Sequence, residues 1–184
     1  MVYLSGSRHA ALMSLIYCLS VTALFGTSAL YHRIHWNPTQ RAWMRRLDHT
    51  MIFFLIAGTY TPLAAIKLDQ EMSTFVLYTV WLSAALGSIL KLVWITAPKW
   101  LAALLYLSLG WFAVYTMPSL YERVGWGCVS LLITGGVFYT LGALAYVFKR
   151  PNPLPSTFGY HEIFHAFVII AAAFHYAAIL KVII

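Results

Sequence analysis

The run Trp126-Gly-Cys-Val-Ser-Leu-Leu-Ile-Thr-Gly-Gly-Val-Phe-Tyr-Thr-Leu-Gly-Ala-Leu-Ala-Tyr-Val-Phe148 contains no charged residue, with Glu122 and Arg123 just before it and Lys149 and Arg150 directly after. About 20 apolar residues in a helix cross the hydrocarbon of a bilayer, so this run reads as a membrane span. Five further apolar runs, at 10–31, 51–66, 74–94, 100–117 and 163–184, repeat the pattern along the chain. Of the 184 residues, 61% are apolar and 9% are charged, against roughly 25% charged in a soluble domain. With seven Trp, twelve Tyr, eleven Phe and a mean hydropathy of +0.77, no polar shell can be built around a single core. A soluble globular protein is excluded. The expected fold is all-α: a polytopic transmembrane helix bundle with six spans, forming a single integral membrane domain over 1–184.

The short gaps between runs carry nearly all the charge. Arg33, Arg41, Arg45 and Arg46 lie in the first; Lys67, Asp69 and Glu71 in the second; Pro98 and Lys99 in the third; Glu122 and Arg123 in the fourth; Lys149, Arg150, Pro151, Pro153 and Pro155 in the fifth. Proline and charge together predict loops there. The net charge of +7 follows from basic residues at span ends and implies no nucleic-acid partner. Assigning gaps to alternate faces puts seven Lys and Arg on one side, four on the other, and Lys91 near the end of the third run. The richer side is expected to be cytoplasmic, which places both ends of this chain outside. A further helix upstream of Met1 would return the N-terminus to the cytoplasm. Cys18 and Cys128 both lie inside apolar runs and form neither a disulfide framework nor a zinc cluster.

Ionisable groups in or beside spans are costly and mark function. His32 closes the first run, Asp48 and His49 open the second, and His161, Glu162 and His165 open the last, all expected at the cytoplasmic end. His161 and His165 are four apart, so their imidazoles stack on one helical face and can share an ion; Ser28 and His32 repeat the spacing. A third histidine from another helix would complete a three-ligand site with an open position, the pattern of catalytic zinc. Asp48 could orient a ligand or a water beside the metal, or simply pair with Arg45 or Arg46. His49 adjoins Asp48 and stays a candidate ligand, whereas His9, His35 and His175 read as interfacial residues. His161-Glu-Ile-Phe-His165 also matches HExxH, in which the glutamate is the general base of metalloproteases; an intramembrane protease would recruit Asp48 as its acidic ligand.

Four segments, Ser28-Ala-Leu-Tyr-His32, Arg46-Leu-Asp48-His49, Ala57-Gly-Thr-Tyr-Thr-Pro62 and Phe158-Gly-Tyr-His-Glu-Ile-Phe-His165, span almost the whole chain. Together they make it resemble the hemolysin III type of membrane protein. That type is a branch of the progestin and adipoQ receptor family within the CREST group of membrane hydrolases. The resemblance implies a seven-helix fold, of which this chain lacks the first helix, and a zinc ion near the cytoplasmic leaflet. It also implies that His32, His161 and His165 are the metal ligands, that Asp48 holds the reacting water, and that Ser28 supports it.

The expected function is zinc-dependent hydrolysis of a lipid amide or ester at the cytoplasmic leaflet. Membrane lipids are the partners and a ceramide-like amide the example substrate, in a multi-pass protein of the bacterial inner membrane. The alternatives are a lipid sensor or membrane-homeostasis receptor with structural zinc, the HExxH protease, and a pore-forming hemolysin. The last has too few charged residues to line a wide channel.

Overall fold

The computed structural model describes residues 7–184, in which the helices are α1 (Arg8–Arg33), α2 (Pro38–Lys67), α3 (Gln70–Val93), α4 (Lys99–Trp111), α5 (Ala113–Val124), α6 (Trp126–Phe148) and α7 (Tyr160–Ile183). The stretch Lys99–Val124 acts as one apolar segment, giving six helices long and apolar enough to span a bilayer. The chain is an all-α polytopic membrane protein.

The helices reach well beyond the apolar runs, which corrects the expectation that the charged gaps are loops. Arg41, Arg45 and Arg46 belong to α2, Lys67 closes it, Glu71 lies in the first turn of α3, and Glu122 and Arg123 end α5. Local chemistry explains the early starts. The Asn37 side chain accepts from Gln40 N at 2.9 Å and Gln40 Oε1 accepts from Asn37 N at 3.4 Å. This reciprocal capping box, followed by Pro38 at the first helical position, starts a helix regardless of the charges that follow. Asp69 caps α3 in the same way, accepting from Met72 N at 2.9 Å. Short irregular links remain at 34–37, 68–69 and 94–98, and the last gap is the longest: Lys149 closes α6 in the left-handed region, and the proline-rich segment runs on to Gly159.

The fourth span is broken at Phe112. Its N–H donates to Ser108 O at 3.1 Å while its own carbonyl accepts from Tyr115 N at 3.0 Å, a tightened turn. Downstream, Pro118 has no N–H to offer the Val114 carbonyl, so this segment cannot be a regular helix throughout.

By their contacts the described residues group into two compact units, one of α1 to α3 and one running from Pro98 to Val182. In the first, α2 packs against both α1 and α3. Small residues make this close: Ser20 of α1 lies where a Cβ on Gly58 would sit, and the Phe53 ring of α2 covers Gly87 of α3. Where hydrocarbon offers no hydrophobic drive, such backbone approach and its van der Waals contact hold helices together. Three buried hydroxyls of this unit are satisfied within their own helices, as bilayer depth requires. Ser14 donates to Ala10 O, Thr59 to Leu55 O and Thr61 to Ala57 O, at 2.7 to 2.9 Å. Trp81 Nε1 of α3 donates to Thr61 Oγ1 at 3.1 Å, joining α3 to the buried centre of α2.

In the second unit α6 meets α7 through two glycines, Gly135 beneath His175 and Gly142 beneath Phe167. Phe138 stacks on Phe174, with ring centroids 5.7 Å apart. Trp111 Nε1 donates to Thr140 Oγ1 at 2.9 Å and fastens α4 to α6.

Candidate metal centre

Each unit presents part of the constellation expected from the sequence. In the first, Ser28 and His32 lie in the last two turns of α1, with the Tyr31 ring edge-on to His32 at 4.7 Å between centroids. Asp48 does not open its helix. It lies ten residues inside α2, about 15 Å along the axis, because the capping box starts α2 at Pro38. The chain reverses through a short link after α1, so Asp48 lies close to Ser28 and His32, both of which act on its carboxylate. The pairing of Asp48 with Arg45 or Arg46 that the sequence also allowed is not found among the described residues. Arg46 instead donates through Nε to Leu92 O at 3.0 Å and through Nη1 to Ala42 O at 3.2 Å. His49 is half-buried and, as the next residue of α2, points about 100° away from Asp48.

In the second unit, His161 and His165 stand one turn apart at the start of α7, with Nε2 atoms 3.1 Å from one another and rings nearly perpendicular at 87°. Two nitrogens on one tetrahedral zinc, each at about 2.0 to 2.1 Å, are about 3.3 Å apart. The pair therefore has the separation a single ion requires, and its neutral imidazole donors suit zinc.

The second histidine motif has a different use for its glutamate. Glu162 is exposed, and its Oε2 accepts from Gly159 N at 2.8 Å, while Asn152 Oδ1 accepts from Tyr160 N at 3.1 Å. Both groups satisfy amides at the start of α7 that have no partner within the helix. Glu162 is thus engaged in capping the start of α7.

Three residues that sequence reasoning passed over support this pair. The Tyr146 ring of α6 packs 5.8 Å from His161 and 5.2 Å from Phe164. Lys99 Nζ lies over Tyr146, 4.1 Å from its centroid, and donates to the Tyr160 hydroxyl at 3.4 Å. The only signal was a lysine and two tyrosines at span ends, a placement common to interfacial anchors; their meeting needs the packing of α4, α6 and α7. His9 and His35 are exposed as expected. His175 departs from its interfacial reading: it lies mid-helix over Gly135, with Nε2 3.2 Å from Leu132 O.

Six helices long and apolar enough to cross a bilayer define a multi-pass integral membrane protein. Residues 1–176 match the family described as Haemolysin-III related, and the chain belongs to that family. It is 31% identical to Hemolysin-3 of Bacillus cereus over 175 residues, covering 95% of this chain and 77% of that protein. Hemolysin-3 homolog of Bacillus subtilis (strain 168) is 30% identical, with 89% of this chain and 74% of that protein covered. Monocyte to macrophage differentiation factor of Homo sapiens is 29% identical, over 90% of this chain and 68% of that protein.

Proposed function

We propose that this member of the family binds zinc through His32, His161 and His165 and hydrolyses an amide or ester bond of a membrane lipid, with a ceramide-like amide as the model substrate. The observation that carries the reading is the convergence of the His161 and His165 Nε2 atoms at 3.1 Å. The Ser28 and Asp48 pair beside His32 supplies the acid–base group such a reaction needs. Zinc, when bound, would supply a Lewis acid that polarises the carbonyl and makes water more acidic.

The chain's own residues then have distinct tasks. The three imidazoles hold the ion, and Tyr146 packs against the His161 ring and limits its rotation. Asp48 accepts a proton from the attacking water as its oxygen bonds to the carbonyl carbon. The Ser28 hydroxyl, beside the carboxylate, fixes which Asp48 oxygen is open for that proton. Asp48 returns the proton to the departing amine or alkoxide, so that one water is consumed and a fatty acid and an amine or alcohol are released.

The test combines metal analysis with a lipid panel. The purified chain should carry about one zinc, lost in His161→Ala and in His165→Ala. It should release fatty acid from ceramide-like amides or ester lipids. Full metal retention in both variants reduces the pair to packing. Metal binding without hydrolysis of any lipid in the panel would replace the hydrolase by the sensor with structural zinc.

A further inference from the structure

Lys91, in the last turn of α3, is only 2% exposed and has no hydrogen-bond or ion-pair partner among the described residues. One turn earlier Ser88 is 6% exposed and its hydroxyl also lacks a partner. Three residues apart, the two share a helical face. The charged group acting on Lys91 is another cation, the exposed Arg45 of α2. No acid of this unit offsets them. Asp69 and Glu71 lie at the opposite end of α3, about 30 Å away along the helix, and Asp48 is not among the groups acting on Lys91.

Buried charges are ordinarily paired, and a buried lysine side chain acted on by a second cation, with an unpartnered hydroxyl one turn away, forms an incomplete set. The missing member is an anion that accepts several hydrogen bonds. A phosphate group fits it: an ammonium serves as a point charge, a guanidinium as a fork, and a hydroxyl as a further donor. The frame is rigid, since Arg46 ties α2 to the Leu92 carbonyl and its guanidinium lies 5.1 Å from the Trp43 ring centroid. Lys91 and the exposed Arg45 lie at a span end, the depth of lipid headgroups. We infer that Lys91, Ser88 and Arg45 bind the phosphate group of an anionic ligand at the α2–α3 end, a site separate from the histidines.

The source of the phosphate is resolved by experiment. The full chain in neutral detergent is titrated with phosphatidylglycerol, with phosphatidylcholine, and with inorganic phosphate, and bound ligand is counted by native mass spectrometry. Phosphatidylglycerol should bind at least about tenfold more tightly than phosphatidylcholine, and Lys91→Met and Arg45→Gln should each weaken it about tenfold. Lys91→Arg should keep most of the binding. Arg45 is exposed, so Arg45→Gln serves even if Lys91→Met fails to fold. Displacement of the lipid by inorganic phosphate assigns the free ion as a ligand too, and retention assigns the lipid headgroup. Equal affinity for the two lipids together with no phosphate binding, or unchanged binding in folded Lys91→Met and Arg45→Gln, overturns the inference.

Discussion

Asp48 and Glu162 are the two carboxylates near histidine, and their partners separate their roles. Asp48 lies beside Ser28 and His32; Glu162 accepts from the Gly159 amide at its own helix start. Asp48→Asn keeps the shape and much of the hydrogen bonding but cannot take a proton. Lipid turnover should then fall about 10²- to 10⁴-fold with metal content unchanged, as read by product release and metal analysis on one preparation. Simultaneous loss of metal would make Asp48 a ligand. Glu162→Gln retains a side-chain oxygen that can accept from Gly159 N, so turnover should stay within about twofold of the parent by the same mutant-kinetics comparison. Collapse of turnover with metal retained would instead favour the metalloprotease reading.

At the scale of the element, the contact of α1 with α2 depends on one missing side chain. A Cβ on Gly58 would overlap Ser20, whose hydroxyl is itself bonded to Tyr17 O at 2.7 Å and so is poorly placed to yield. Gly58→Ala should destabilise the protein by about 1 to 3 kcal/mol, the usual cost of overpacking, and thermal unfolding in detergent would measure it. Ser20→Gly in the same chain removes both overlapping atoms and should restore much of the loss. If Gly58→Ala alone leaves the unfolding temperature unchanged, the helices are not held at the described approach.

At the scale of the whole molecule, sidedness and metal dependence are the properties to test. Seven basic residues against four place the link at 34–37 and the segment at 151–158 in the cytoplasm by the positive-inside bias. Reporter insertions at both should report cytoplasm, and an outside signal at either would remove the common-leaflet basis of the proposed site. Since His32 belongs to α1 and the pair to α7, a zinc held by all three would stabilise the fold. At an ion concentration about a thousandfold above its Kd the gain is about 4 kcal/mol. Chelation should therefore lower the unfolding temperature of the parent and leave that of His161→Ala nearly unchanged.

Hydrophobic runs such as 126–148 determined the all-α membrane class and the number of spans directly. In a bilayer only a helix or closed barrel satisfies every backbone group, and uninterrupted apolar stretches select the helix. The His161 and His165 spacing was equally legible, because the separation of two residues one turn apart is set by the helix alone. Where the helices begin was misjudged from charge, since the Asn37 and Gln40 capping box outweighs three arginines, Arg41, Arg45 and Arg46, in deciding the start of α2. Tertiary structure alone decided that Ser28 lies beside Asp48, that Lys99 rests on Tyr146 beside His161, and that Lys91 is buried without an acid. These depend on which faces of separate helices meet. That is set by glycines and ring packing far from the residues concerned, and no period within one helix encodes it.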